Sequence, residues 1–177
     1  MKPRIYLASQ IFAECWRDYN DKIAKRILEE FPDVDLYVPQ NNKSINDKTK
    51  CANSIQIAHG DLTNNLDHDD IVIAVVDGDT PGIGTTFELG YFARICQEEL
   101  QRTGSTKKKI IALYTDSREG TATFLDSKVD LLKNEIAESQ FSYLNLLLVG
   151  GIKLYGVMCR TIDQVIEELR KALKEFE

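Results

Sequence analysis

The feature that most constrains the fold of this chain is an unbroken run of apolar, mostly β-branched residues from Ile71 to Val76. Such a run is typical of a central parallel strand that is buried on both faces of its sheet. Parallel strands need crossover connections, which are usually helices. The rest of the chain is therefore expected to alternate between strands and helices.

Segments with strand and helix patterns do alternate along the sequence, and they predict an α/β fold. We expect a doubly wound, flavodoxin- or Rossmann-like, five-stranded parallel sheet with helices on both faces. At 177 residues, the chain is expected to form a single domain. The expected strands are Arg4–Ser9, Val34–Val38, Ile71–Val76, Ile110–Tyr114 and Leu146–Val149, the expected helices lie at about 13–31, 52–66, 87–100 and 161–176, and 116–138 is polar.

Composition argues against several classes of function. A net charge of −6 disfavours a partner that is a nucleic-acid polymer, because phosphate recognition needs a basic surface. No apolar run approaches the roughly 20 residues of a membrane span, and no signal peptide precedes the first strand, so we expect a cytoplasmic protein without membrane contact. The four cysteines form no CxxC pair, so they are expected to be free thiols. His59 and His68 match no zinc-binding pattern, so no metal is expected.

The ligand crevice of a parallel α/β sheet lies at the carboxyl ends of its strands. This rule selects the loops at 6–9, 39–42 and 77–84. The last loop contains Gly78, Gly82 and Gly84, but their spacing matches neither the dinucleotide fingerprint nor the P-loop. The sequence therefore gives little support to NAD or nucleoside-triphosphate binding.

Acidic residues flank the central strand on both sides. Asp69 and Asp70 precede the strand, and Glu88 stands near the start of the helix that follows. A carboxylate in the first turn of a helix is favoured by the helix dipole, so capping is one interpretation of Glu88. The small residues around it, Gly84 and Thr85 among them, indicate instead a place where a substrate ring approaches the backbone closely.

The sequence around Glu88 resembles the nucleoside 2-deoxyribosyltransferase family. The similarity lies in the stretch from Asp70 to Val75, in the pair Gly84-Thr85 and in Glu88-Leu89-Gly90-Tyr91, with supporting segments at 5–9, 37–42 and 145–147. The resemblance implies an enzyme without a cofactor that exchanges the base of 2′-deoxynucleosides for a free base. It also implies a double displacement with retention, through a covalent deoxyribosyl-glutamate intermediate.

The same resemblance assigns roles to individual residues. It implies that Glu88 attacks the anomeric carbon, that Asp70 protonates the departing base and that Tyr6 hydrogen-bonds Glu88. Gln40 or a neighbouring asparagine is expected to read the base edge, and Asn145 is expected to reach the sugar of a neighbouring subunit, which implies a homo-oligomer with shared sites. The substrate-binding residues expected on this basis are Ser9, Gln40, Asp79, Gly84, Thr85 and Asn145.

Two positions depart from the family pattern. Gly82 stands where the family carries an aspartate that binds sugar hydroxyls, and Asp79 is the candidate to replace it. The helix before the central strand is one residue longer, so Asp69 competes with Asp70 for the role of the acid; Asp70 is preferred because it adjoins the strand.

Two other functions remain open at this point. One is a hydrolase that cleaves 2′-deoxynucleoside 5′-monophosphates, which the absence of an arginine before Arg17 in the loop after the first strand disfavours. The other is a non-catalytic nucleoside-binding protein, which Gly82 favours.

Overall fold

The computed structural model of the chain describes residues 2–47, 53–117 and 144–176. Its strands are β1 (Arg4–Ala8), β2 (Asp35–Tyr37), β3 (Ile71–Val75), β4 (Lys109–Leu113) and β5 (Gly156–Cys159). Its α-helices are α1 (Glu14–Glu30), α2 (Lys43–Asn46), α3 (Ser54–Ala58), α4 (Ile83–Thr103), α5 (Leu146–Tyr155) and α6 (Ile162–Leu173). A π-helix, His59–Leu66, continues α3, and short 3-10 helices cover Pro39–Asn41 and Lys174–Phe176.

The five strands form one parallel sheet in the order β2-β1-β3-β4-β5. This is the doubly wound order of flavodoxin-like folds, in which the chain reverses direction across the sheet between β1 and β3. The predicted fold class is confirmed. Ligands of such folds bind beyond the carboxyl ends of the strands on either side of that reversal, which here are the loops after β1 and β3.

Both faces of the sheet are covered, which explains why the central strand is apolar throughout. Ile71 and Ile73 of β3 pack into a core that includes residues of α1 and α6. Val72 and Ala74 pack into a second core on the other face, with residues of the π-helix, α4 and α5. All five residues of β3 are buried, as expected for a strand between two helical layers.

Helix α4 begins at Ile83, earlier than the predicted start near residue 87. Gly82 is the N-cap and provides no side-chain cap, while the Thr86 hydroxyl donates to the Ile83 carbonyl, 2.8 Å away, inside the helix. Glu88 therefore lies in the second turn, and the first turn contains no acidic residue. Capping does not explain Glu88, because dipole stabilisation is confined to the first turn.

The predicted fifth strand at Leu146–Val149 is wrong. These residues begin α5, where the Asn145 side chain accepts a hydrogen bond of 2.9 Å from the Leu147 amide. A short apolar run does not distinguish a strand from a buried helix by periodicity. The fifth strand is β5, where a Cβ on Gly156 would collide with the Ile110 carbonyl of β4. Only glycine fits at this contact between the strands.

Several smaller expectations have clear outcomes. Cys15, Cys96 and Cys159 are free thiols, as predicted, whereas Cys51 lies outside the described residues. Most of the polar segment 116–138 also lies outside them. No helix in the described ranges is long and apolar enough to cross a membrane.

Candidate active site

The centre of the candidate site is a hydrogen bond between two residues that the sequence analysis paired. The Tyr6 hydroxyl donates to Glu88 Oε1 over 2.8 Å. Tyr6 is a fully buried residue of β1, and Glu88 is half-buried in α4 on the same face of the sheet. The bond fixes one carboxylate oxygen of Glu88 and leaves the other oxygen to point elsewhere.

The surroundings of Glu88 make its carboxylate unusually basic. Burial raises the pKa of Glu88 to about 7, the hydrogen bond from Tyr6 acts in the opposite direction, and the charge of Asp61 raises it further. Burial and the neighbouring charge of Glu88 also raise the pKa of Tyr6, so the phenol stays protonated and remains a donor. A basic carboxylate held by a neutral donor is a suitable nucleophile for an electron-poor carbon.

A second carboxyl group, Asp61, lies beside this pair. It comes from the π-helix, and its Oδ1 is 3.5 Å from the Tyr37 hydroxyl. Tyr37 ends β2, its ring centroid is 5.2 Å from that of Tyr6, and its hydroxyl accepts a bond of 2.8 Å from Asn42 Nδ2. Burial raises the pKa of Asp61, and hydrogen bonds from Tyr37 and Tyr6 lower it; burial also raises the pKa of Tyr37 to about 12.

The structure does not bring Asp70 to this cluster. Asp70 precedes β3, so it lies at the amino edge of the sheet, where its Oδ2 accepts a 2.9 Å bond from the Arg4 amide. Asp69, its competitor, lies at the same edge, buried, with Oδ1 3.4 Å from Arg4 Nε and its carbonyl bonded by the Lys108 ammonium. Ligands of this fold bind at the opposite edge, so the structure places both candidate acids at the edge away from the expected ligand crevice.

The structure engages Gln40 elsewhere as well. Its Oε1 accepts a 2.9 Å bond from Asn20, and its Nε2 donates to Asp21 Oδ1 at 2.7 Å and to the Arg17 carbonyl at 3.2 Å. These bonds occupy both ends of the amide and tie the loop after β2 to α1. The neighbouring asparagine that contacts the cluster is Asn42, through Tyr37.

The remaining predicted residues surround the loops after β1 and β3. Thr85 is buried in the first turn of α4, next to exposed Gly84, and Ser9 is half-buried after β1, with a 3.3 Å bond to the Gln10 carbonyl. Asp79 is exposed in the turn before α4. Asn145 is exposed, and its side chain caps α5. Their roles stay predictions.

Sequence reasoning missed Asp61 and Tyr37, although one signal for Asp61 was present. Asp61 lies three residues after Ala58 and directly before Leu62, two apolar residues at helical spacing in the helix predicted at 52–66. A carboxylate at such a position needs a partner or a function, because an isolated buried charge is costly. No group of three or more His, Cys, Asp or Glu residues in the described part of the chain has the arrangement of a metal site.

Comparisons with known proteins show which family and which solved structures the chain resembles. The profile of the nucleoside 2-deoxyribosyltransferase family matches residues 5–146. The crystal structure of a conserved protein from Enterococcus faecalis V583 is similar with a TM-score of 0.76 and 36% identity, covering 97% of this chain and 99% of that chain. A 2-deoxyribosyltransferase from Bacillus psychrosaccharolyticus gives a TM-score of 0.47 and 20% identity over 64% of this chain and 74% of that chain.

No curated protein sequence matches the chain. The family profile nevertheless spans most of its length, and the chain belongs to the nucleoside 2-deoxyribosyltransferase family.

Proposed function

We propose that this protein exchanges the base of a 2′-deoxynucleoside for a free base, with Glu88 as the nucleophile. The observation that carries the proposal is the 2.8 Å hydrogen bond from the buried Tyr6 hydroxyl to Glu88 Oε1. This bond holds a carboxylate whose pKa burial raises to about 7, within a chain of the deoxyribosyltransferase family.

The proposed first half of the reaction starts from that geometry. A carboxylate oxygen of Glu88 forms a bond to the anomeric carbon while the bond from that carbon to the base nitrogen breaks. The electron pair of the broken bond goes to the base, which needs a proton to leave. The product is a deoxyribosyl ester of Glu88, formed with inversion, as carboxylate nucleophiles form glycosyl esters in retaining glycosidases.

We assign the role of the acid to Asp61 in place of Asp70. Asp61 shares Tyr37 and Tyr6 as neighbours with Glu88, and burial raises its pKa, which favours the protonated form that a leaving base requires. In the second half of the reaction the incoming base attacks the anomeric carbon, gives its proton to the Asp61 carboxylate and releases Glu88 as a carboxylate. Two inversions give net retention.

The proposed substrate site extends from Asp61 across Glu88 to the loop after β3. Asn42 and Tyr37 lie on the Asp61 side of Glu88, where the base would bind. Ser9 and Thr85 lie near the loops after β1 and β3, where the sugar would bind.

We further propose that the protein is a homo-oligomer and that Asn145 reaches the sugar of a neighbouring subunit. Large apolar side chains are exposed near both ends of the proposed contact: Ile83 at 87% and Phe87 at 65% on α4, and Leu147 at 86% on α5. The two helices pack against each other, and exposed apolar side chains are a feature of protein interfaces. Asn145, which caps α5, is next to this surface.

The function is tested by incubating the protein with deoxyinosine, with and without free adenine, and separating the products by chromatography. The proposal predicts new deoxyadenosine that depends on adenine, and no deoxyadenosine from the Glu88→Gln variant. Hypoxanthine release that adenine does not divert would identify a hydrolase instead. If deoxycytidine, thymidine and deoxynucleotides are inert as well, the enzymatic proposal is wrong.

Shared sites are tested by mixing one inactive variant with one weakened variant. Glu88→Gln and Asn145→Ala subunits, dissociated and reassembled together, are expected to regain about a quarter of the wild-type activity if each site takes Asn145 from its neighbour, since statistical mixing leaves that share of sites intact. Mixtures no more active than the two variants measured separately would show that each subunit supplies its own Asn145.

A further inference from the structure

The side chain of Gln10 lies over the glycine-containing turn between β3 and α4. A Cβ on Gly82 would come within 2.9 Å of Gln10 Cγ and 3.0 Å of Thr85 Oγ1, and a Cβ on Gly78 would be 3.5 Å from Gln10 Nε2. Real Cβ atoms do not approach other atoms as closely as 2.9 Å, so Gln10 takes the space that a side chain at position 82 would fill.

The backbone of Gln10 is held in place by a buried asparagine. Asn20 is 1% exposed, and its Nδ2 donates to the Gln10 carbonyl and to Gln40 Oε1, each at 2.9 Å. Both partners are acceptors, and Gln40 uses its own amide nitrogen on two further acceptors. The orientation of each amide is therefore determined by its partners, and the loop after β1 is tied to the loop after β2.

The carboxamide of Gln10 is placed where this fold binds its ligands. Gln10 is half-buried in the loop after β1, and its side chain lies against Gly78 and Gly82 in the turn after β3. The chain reverses across the sheet between these two strands. Within the described residues, the hydrogen bonds of Gln10 use its backbone carbonyl and not its side-chain amide. A carboxamide offers a donor and an acceptor at once, which suits a hydroxyl group.

We propose that Gln10 is a specificity-determining residue that hydrogen-bonds a hydroxyl group of the deoxyribose ring. The inference rests on the function proposed above and names the part of the substrate that Gln10 reads. Asp61, Tyr37 and Asn42 approach Glu88 from the β2 side of the sheet, where the base leaves.

Gln10 approaches from the β3 side, against Gly78 and Gly82. A nucleoside whose anomeric carbon faces Glu88, and whose base faces Asp61, directs the hydroxyl-bearing part of its sugar toward Gln10. In this chain the neutral amide of Gln10 thus binds the sugar, and Gly82 leaves space for the Gln10 side chain.

Binding to a catalytically inactive background isolates this contact. The affinities of Glu88→Ala protein for deoxyinosine and for its 3′-deoxy and 5′-deoxy analogues are compared by calorimetry. With Gln10 present, loss of the hydroxyl that it contacts is expected to weaken binding about two- to tenfold, the range of one neutral hydrogen bond. With Gln10→Ala added, the same analogue and deoxyinosine should bind equally.

Two glycine variants provide a matched pair. Gly82→Ala is expected to displace Gln10 and to remove the same discrimination between deoxyinosine and its analogue. Gly90→Ala is the control, because a Cβ at this exposed helical position meets no atom within 4 Å. Melting curves of all variants show that the fold is retained.

The outcomes separate this inference from the function on which it rests. If wild-type protein exchanges bases but Gln10→Ala leaves both analogue ratios unchanged, or weakens all three ligands by one common factor, the role of Gln10 is refuted and the proposed function stands. If the protein neither binds nor turns over any deoxynucleoside, both are refuted.

Discussion

Removal of the Tyr6 hydroxyl is the most direct test of how Glu88 is held. Tyr6→Phe keeps the ring that packs against Tyr37 and deletes the hydroxyl donor that lies 2.8 Å from Glu88 Oε1. This hydrogen bond lowers the pKa of Glu88, against burial, which raises that pKa to about 7. Its loss therefore raises the pKa further, and ionised Glu88, the nucleophilic form, appears only at higher pH.

The magnitude follows from the strength of a hydrogen bond to a charged acceptor, about 1.5–3 kcal/mol. At about 1.4 kcal/mol for each pH unit, the acid limb of the profile of kcat/KM against pH should move up by roughly one to two pH units. At pH 7 the ionised fraction then falls from about one half to between a tenth and a hundredth, a loss of roughly 5- to 50-fold. The deficit should shrink above pH 9, and whatever remains there measures lost orientation.

The assay is base exchange from pH 5 to pH 10 for wild type, Tyr6→Phe and Tyr91→Phe. Tyr91 is the matched control because its hydroxyl donates to Asp67 Oδ1 over 2.7 Å, whereas the hydrogen bond to Glu88 comes from Tyr6. An acid limb at the same pH in Tyr6→Phe and wild type would refute the reasoning, whatever happened to the maximal rate.

Three further predictions concern other contacts. Asp61→Asn should lower kcat/KM for a nucleoside donor, which reports the first half-reaction alone, by about 10²- to 10⁴-fold, but should lower it much less for a deoxyribosyl donor whose leaving group needs no proton; equal losses of kcat/KM for the two donors would exclude Asp61 as the acid. Burial raises the pKa of Asp69 to about 7, so between about pH 4 and pH 7 the folded protein holds a proton that the unfolded chain has released. The free energy of unfolding should therefore fall as the pH rises from about 4 to about 7. Urea titrations should find a smaller fall in Asp69→Asn, and an equal fall in this variant would contradict the raised pKa of Asp69. Gly156→Ala should reduce stability by about 1–3 kcal/mol through its collision with Ile110, whereas Gly150→Ala, with no atom within 4 Å, should raise it by about 0.5–1 kcal/mol; melting temperatures that move the same way in both would argue against this packing.

The layered fold was predictable because its signal is written residue by residue. A run such as Ile71–Val75 is apolar on both faces only when helices cover both sides of a parallel sheet, and the structure buries all five residues. The start of α4 and the identity of the fifth strand were not predictable in this way. They involve Gly82 and Gly156, where an added Cβ would collide with Gln10 and with Ile110 respectively. Such contacts are visible only once the neighbouring elements are in place.

Within the candidate site, the family resemblance predicted one contact between distant residues but not the partners of a long polar side chain. It paired Tyr6 with Glu88, which lie 82 positions apart on β1 and α4. Gln40 has the side chain expected of a base reader and lies in the expected loop, yet α1 engages both ends of its amide. Which partner a long polar side chain selects is decided by packing between elements, which residue type and spacing do not specify.

Asp61 was hidden by the local geometry of its helix. The apolar positions from Ile55 to Leu66 predict an α-helix, and α-helical spacing places Asp61 beside the inward face without giving it a partner. The structure instead continues α3 as a π-helix over His59–Leu66, whose i to i+5 bonding accommodates an additional residue. Leu66 stays fully buried while Asp61 meets Tyr37. Because π-helical turns are frequently found at functional sites, this local geometry supports the proposal that Asp61 is the acid.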